Sequence, residues 1–160
     1  MSWPSRRSLM IVDLDNVCAA SIPDIERFLC WAQAAHREDD LELSIRVVDE
    51  REGAELNWMY RQKEGPTNVL SFSCDVPEGV PCRLLGDLVI CAPVVEREAL
   101  EQGKPQEAHW AHLVIHGVLH LRGFDHVEEA EAEEMEAIEI KILQDLGYPN
   151  PYELLETSRP

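Results

Sequence analysis

The sequence is short of positive charge. Only 14 lysine and arginine residues stand against 31 aspartate and glutamate residues, which gives a formal net charge of −17. A field of that sign repels nucleic acid at low salt, so composition alone argues against RNA or DNA as a partner. The excess acid falls mostly on residues 64–160, which leaves room for a less acidic face elsewhere.

The sequence also lacks a paired cysteine motif and a long apolar run. Its five cysteines are odd in number, contain no CxxC pair and lie mostly among apolar neighbours, which indicates reduced thiols and favours the cytosol. Asp13 and Asp15 interrupt the apolar run that follows the first two arginines, so neither a signal peptide nor a membrane span is predicted. We therefore expect a cytoplasmic protein with no membrane partner.

No internal repeat, low-complexity block or flexible linker divides the chain, so we expect one compact domain over residues 1–160. Apolar periodicity predicts strands near residues 9–14, 41–49, 67–76 and 84–92, and helices over 21–36, 50–63, 93–103, 107–121 and 127–147. This order is typical of an α/β or α+β domain with about four strands and helices packed on at least one side.

Two of these helices carry predictions of their own. In the first, Ser21 is the predicted N-cap and Pro23 lies in the first turn. In the last, the many glutamates are expected to form a solvated face that keeps the protein soluble. The residues of that helix expected to face inward are Met135, Ile138, Ile142 and Leu146.

Histidine is scarce as well, with six in the chain, yet three of them fall within the stretch HGVLHLRGFDH. His116 and His120 are four residues apart, so on a helix both imidazoles can reach one ion. Gly123 can adopt the left-handed conformation that lets the chain turn and bring His126 back toward the pair. Three histidine ligands leave a coordination position for water, as catalytic zinc sites do, so we predict a metal-dependent enzyme.

The spacing HxxxHxxGxxH is that of the metzincin metalloproteases, but one part of their motif is missing. Their general base is a glutamate directly after the first histidine, and here that position is Gly117. Glycine cannot take a proton from a water molecule that attacks an amide. The spacing therefore predicts the metal ligands without predicting peptidase chemistry, and no other residue stands out as the general base.

Two further histidines, His109 and His112, extend the same helical face. Local hydrogen bonding is the simpler interpretation of both, with a role for His112 in orienting a ligand or substrate as the alternative. Local hydrogen bonding could also account for His116, His120 and His126, but it explains a lone histidine better than three at this spacing.

A second cluster, in YRQKEGPTNVLSF, contains the cations Arg61 and Lys63 ahead of a rigid GPTN turn. A guanidinium can hold a phosphate through two hydrogen bonds and stabilise the charge that develops during its displacement. The alternative is that Arg61 merely complements the dipole at the end of its helix. Beside a metal site, the cluster indicates a phosphate ester as substrate.

With these motifs the chain resembles the YbeY family of bacterial ribosomal RNA maturation endoribonucleases. The resemblance runs from about Leu43 to Tyr152. Two positions depart from the usual pattern: Phe124 stands where the family has Tyr, and Ser73 where it has Pro. The stretches that carry the resemblance are YRQKEGPTNVLSF, LLGDLVIC, EAHWAHLVIHGVLHLRGFDH and AEEMEAIEIKILQDLGYPNPY.

The resemblance implies an α/β fold with a small mixed sheet and a zinc ion on His116, His120 and His126 at the end of a helix, with Arg61 facing the metal across a cleft. It implies metal-dependent cleavage of single-stranded RNA in the maturation of small-subunit ribosomal RNA and in ribosome quality control. The implied partners are the ribosome, its small-subunit proteins and an associated GTPase.

We therefore predict a zinc-dependent endoribonuclease with Arg61 as the catalytic cation and Lys63 as a second substrate-binding group, acting on RNA and not DNA. Another divalent ion could replace zinc. The cleft around the ion and the two cations would attract RNA, while the acidic surroundings suppress indiscriminate binding. Two alternatives stay open: a zinc metallopeptidase-like hydrolase that finds its base elsewhere, and a non-catalytic ribosome-assembly factor in which the metal only fixes the last helix.

Overall fold

A computed structural model of the chain describes residues 10–36, 41–74, 84–124 and 129–152. The described residues form four strands and five helices. The strands are β1 (Met10–Asn16), β2 (Leu41–Val48), β3 (Val69–Ser73) and β4 (Leu84–Cys91). The helices are α1 (Ile25–Ala35), α2 (Glu50–Arg61), α3 (Ala92–Gln102), α4 (Gln106–Leu121) and α5 (Glu129–Asp145).

The four strands form one mixed sheet in the order β1-β2-β4-β3. β1 and β4 each pair in parallel with β2, whereas β3 pairs antiparallel with β4 at the edge. The alternation predicted for β2 is confirmed, since Leu43, Ile45 and Val47 are buried on one face. The predicted α/β class with a small mixed sheet of four strands is confirmed.

Helices cover both faces of this sheet. On one face α1, α4 and α5 enclose the larger core, in which Phe28 contacts both Trp31 and Trp110 edge to face. On the other face a smaller cluster joins Leu70 of β3 to Val94 of α3. Both sides of β4 are therefore shielded from water, and this burial explains why most of its residues are apolar.

Helix α4 packs so closely on β4 that Gly117 has no room for a side chain. A Cβ built there would lie 2.6 Å from Cδ2 of Leu88, which is itself fully buried. Residue 117 is the position that carries glutamate in the metzincin motif, and here Leu88 of β4 fills the space that its side chain would need. Close packing of α4 on β4 therefore explains why a glutamate cannot stand at position 117.

Two expectations about the helices are wrong. Helix α1 begins at Ile25 behind an extended Asp24, and Ser21 does not cap it. A cap at Ser21 would require Ile22 to be helical, and the residue before a proline, here Pro23, is disfavoured in that conformation. The glutamates of α5 also do not all face solvent, because Glu139 is completely buried.

Within the described residues, none of the helices combines the length and the apolar character needed to cross a membrane.

Candidate metal centre and cleft

A cleft of about 650 Å³ lies between α4, the edge strand β3 and the end of α2. Its walls bring together the two cations and two of the histidines singled out in the sequence. The residues are Arg61 and Lys63 from one side, and His116 and His120 from the other. We call this space the first cleft. It joins imidazole and cationic groups that are far apart in the sequence.

Four histidines follow one face of α4. The ring centroids of His109 and His112 are 6.1 Å apart, those of His112 and His116 are 6.1 Å apart, and those of His116 and His120 are 4.7 Å apart. Residues three and four apart on a helix share a face, which is why the stripe forms. The pair predicted to share an ion is the closest of the three pairs.

The chain leaves α4 through the turn predicted at Gly123, where φ is 101°. The N–H of Phe124 then donates to the carbonyl of Leu119 at 3.1 Å, and the N–H of Gly123 to that of His120 at 3.0 Å. These bonds satisfy carbonyls that the helix end would leave unpaired. The predicted third ligand, His126, lies outside the described residues, so its place in the ligand set stays a prediction.

The carboxylate of Glu139, on α5, lies beneath the histidine stripe. Its Oε1 is hydrogen-bonded to Nδ1 of His116. Its Oε2 is 3.3 Å from Nε2 of His112 and also accepts from the hydroxyl of Tyr152. A carboxylate bonded to the Nδ1 side of an imidazole fixes the ring and leaves Nε2 for another partner. Glu139 therefore sets the orientation of His116.

The protonation states of this cluster follow from burial and hydrogen bonding. Burial by itself would raise the pKa of Glu139, but the hydrogen bonds from His112 and His116 outweigh it and lower that pKa to about 2. Burial lowers the pKa of His112 despite the pull of Glu139, and it raises that of the Tyr152 hydroxyl, which Glu139 raises further. Glu139 is thus an anion that accepts from a neutral imidazole and a neutral phenol.

The end of α2 and the loop after it place Arg61 and Lys63 at the first cleft. Arg61 is the last residue of α2, and Gln62 closes the helix in the left-handed conformation with φ 56°. The buried amide of Asn57 donates through Nδ2 to the carbonyl of Gly65 at 2.8 Å and so holds the following loop. This bond keeps Lys63 and its neighbours on the rim of the cleft.

Within the described residues, two sets of groups could hold a divalent ion. In the first set, His112, His116 and Glu139 each offer an atom within 4.8 Å of the others. The second consists of His116 and His120, which both line the first cleft. Imidazoles backed by a buried carboxylate are a donor set that suits zinc and similar ions, so the residues present fit a metal centre.

Comparison with known proteins identifies the family of the chain. The sequence model of the family described as Endoribonuclease YbeY matches residues 19–147. The chain belongs to the YbeY family. Proteins of that name from Methylococcus capsulatus (strain ATCC 33009 / NCIMB 11132 / Bath) and Pseudomonas entomophila (strain L48) are 63% and 57% identical to it, over 87% and 90% of this chain and 93% and 94% of theirs.

A solved structure shares the fold of the chain. The solution structure of TM1509 from Thermotoga maritima matches with a TM-score of 0.56 at 25% identity, over 86% of this chain and 89% of that one. The predicted YbeY family membership is confirmed. The prediction of an enzyme is confirmed at the level of the family, whose members are named as endoribonucleases, hydrolases that cut RNA.

One residue of the candidate metal centre, Glu139, was not singled out from the sequence, although a signal was present. Glu139 falls four residues after Met135 and three before Ile142, so it shares the inward face of α5. Because it is one of many glutamates in this helix, it was assigned to the solvated face. His112 is hydrogen-bonded to Glu139 and Tyr152, as the simpler interpretation of this histidine expects, and a role in orienting a ligand stays the alternative.

Proposed function

We propose that the chain is a zinc-dependent endoribonuclease specific for single strands, acting in the maturation of the 3′ end of small-subunit ribosomal RNA and in ribosome quality control. The observation that carries this proposal is the first cleft, where Arg61 and Lys63 face His116 and His120. Family membership supports RNA as the polymer that is cut. Ribosomal proteins of the small subunit and a ribosome-associated GTPase are the proposed partners, and the cytoplasm is the proposed location.

We assign the ion to His116, His120 and His126, with Glu139 as the group that orients His116. Two observations favour this set over one in which Glu139 itself binds the ion. His116 and His120 line the first cleft, whereas Glu139 is fully buried and has both oxygens engaged. An ion that serves a substrate must lie where the substrate can reach it, and the first cleft, which His116 and His120 line, is such a place.

A zinc ion at this place would supply Lewis acidity, polarising a phosphoryl oxygen or lowering the pKa of a water molecule. The protein's own contribution is binding and charge. The guanidinium of Arg61 can donate two parallel hydrogen bonds to the phosphate and stabilise the extra negative charge of the transition state. Lys63 adds a second cation on the same wall, which helps to hold the strand.

The acidic balance of the chain is compatible with this activity when the cationic area is small. Arg61 and Lys63 together with the ion attract one short stretch of backbone, while the net charge of −17 opposes long-range binding of nucleic acid. We therefore expect binding of single-stranded RNA to weaken only modestly with salt. A steep slope, typical of many phosphate contacts, would contradict a small cationic cleft.

The test is RNA cleavage by metal-loaded wild type, Arg61→Ala and His116→Ala, with zinc content measured for each. We expect Arg61→Ala to keep its zinc and lose about two orders of magnitude in kcat, as removal of one transition-state donor does. His116→Ala should lose both zinc and activity. Arg51→Ala is the matched control, since Arg51 lies on the same helix but is 90% exposed and pairs with Glu55 outside the cleft.

Three outcomes would contradict the proposal. Full activity of Arg61→Ala would remove the cation from the chemistry. Turnover of peptides but not of RNA by the same preparation would indicate an amide hydrolase. Cellular ribosome maturation that survives Arg61→Ala but not His120→Ala would indicate an assembly factor whose metal is only structural.

A further inference from the structure

A second cleft, of about 560 Å³, lies farther along α4, beyond the histidines that line the first. Asn68 lines both clefts, and His112 in the wall of the second is next to His116 in the wall of the first, with ring centroids 6.1 Å apart. The far end of the second cleft is the start of α4, where Lys104 and Pro105 line it. The two spaces therefore follow one another along a single helix.

The far end of the second cleft holds the cation Lys104 and the exposed carboxylate of Glu101. The ammonium of Lys104 is half-buried, and it makes no ion pair with a carboxylate in the described part of the chain. Glu98, which acts electrostatically on Lys104, instead accepts from His109 at 2.8 Å and from Asn68 at 3.0 Å. Helix α4 begins behind Pro105 with no side-chain cap, so its first N–H groups add positive potential at the same place. Glu107 in the first turn offsets part of it, but this carboxylate is itself paired with Arg27 and Tyr148.

The middle of the second cleft is apolar and suits a flat ring. Leu113 and Leu143 line it but are almost completely buried, so the apolar surface open to a ligand comes mainly from Pro149, Pro151 and the ring of Tyr152. The amide of Asn150 lines the same wall and can pair with the edge of a base. A space that combines a cation, apolar surface and an amide matches a nucleotide better than a bare phosphate or a simple apolar ligand.

We propose that the second cleft binds a nucleotide of the RNA strand, a few residues away from the phosphate that is cut in the first cleft. The base lies against Pro149, Pro151 and the ring of Tyr152, and its phosphate contacts Lys104 and the start of α4. Gln106 is about 15 Å from His116 along the helix, at about 1.5 Å per residue, so the strand spans more than one nucleotide between the clefts. This inference rests on the proposed function, because it takes single-stranded RNA as the occupant.

Lys104 also follows the end of α3, and a cation at a helix C-terminus stabilises the helix without any ligand. The test must therefore separate RNA binding from stability. We would measure steady-state cleavage of a fluorescent single-stranded oligoribonucleotide by metal-loaded wild type, Lys104→Ala and Lys104→Arg, with melting temperature and zinc content for each. Lys141→Ala is the control for loss of one positive charge, since Lys141 is 79% exposed on α5, outside both clefts.

We expect Lys104→Ala to raise KM about tenfold, the effect of one lost charge-assisted hydrogen bond, with kcat unchanged. Lys104→Arg should restore KM, and Lys141→Ala should match the wild type. The slope of log affinity against log salt should fall by about 0.7 in Lys104→Ala, which corresponds to one phosphate contact on a single strand. A lower melting temperature with unchanged KM and slope would show that Lys104 serves only the helix, and would overturn the inference.

Two further measurements keep the inference separate from the proposed function. If the wild type does not cut RNA, the proposed function fails, and anisotropy with the same oligonucleotide still compares Lys104→Ala with Lys141→Ala. If Lys104→Ala does not fold, chemical shifts of the wild type with added adenosine 5′-monophosphate give a result that needs no variant. Shifts at the start of α4 and at Asn150 support the second cleft, whereas shifts confined to the first cleft exclude it.

Discussion

Glutamine in place of Glu139 tests how the metal centre is built. The carboxylate is fully buried and accepts hydrogen bonds from His112, His116 and Tyr152. Glutamine keeps the shape of the side chain and removes its charge, so it weakens the bond that orients His116 without opening a cavity. Loss of a partner that orients a metal-bound histidine costs a factor of about 10–100 in metal affinity. That factor corresponds to about 1.4–2.8 kcal/mol.

The assay is competition for zinc between the protein and a chromophoric chelator, for wild type, Glu139→Gln and His126→Ala. We expect Glu139→Gln to lose affinity by the factor above, and His126→Ala to lose it much more completely. Glu136→Gln is the matched control, because Glu136 lies one turn away on α5 and is exposed. The reasoning is refuted if Glu139→Gln abolishes zinc binding while His126→Ala retains it, since Glu139 would then be a ligand itself.

Three further predictions follow from single contacts. Gly117→Ala should destabilise the protein by about 1–2 kcal/mol in urea unfolding, because overpacking against Leu88 exceeds the gain of up to about 1 kcal/mol in helix propensity, and stabilisation would refute this. In the metal-free protein the lowered pKa of Glu139 stabilises the fold by up to about 3 kcal/mol, at about 1.4 kcal/mol per unit, and the stabilisation is fully present above the ordinary carboxyl pKa of 4.5. The difference in unfolding free energy between wild type and Glu139→Gln should therefore shrink as the pH falls from 5 toward about 2, and a constant difference would contradict the assignment. Asn57→Ala should cost about 0.5–1.5 kcal/mol in the same unfolding assay because the hydrogen bond from Asn57 to the carbonyl of Gly65 is lost, and no change would show that the loop is held in another way.

Much of the fold could be predicted because local patterns and tertiary packing agree. The alternation in β2 became the buried set Leu43, Ile45 and Val47, and the glycine at position 123 became a left-handed turn. The start of α1 was misplaced because the cap signal at Ser21 was followed without the restriction that Pro23 places on the residue before it.

The candidate site was predictable where its residues are near in sequence and hidden where they are not. His116 and His120 are one helical turn apart, so spacing alone places them together. Glu139 reaches them only when α5 packs on α4, and no local pattern records which glutamate of a charged helix will be enclosed. The second cleft is lined by residues as far apart in the sequence as Asn68 and Tyr152, so it forms only in the folded protein.

The route by which the first cleft is assembled bears on the synthesis of the protein. Arg61 comes from α2, His116 from α4 and the carboxylate that aligns His116 from α5, which is the last described helix. A chain emerging from the ribosome from its N-terminus holds its cationic wall long before it holds its imidazoles, and it aligns them last of all. On the proposed function, a growing polypeptide has its complete site for RNA cleavage only after α5 has left the exit tunnel of the ribosome.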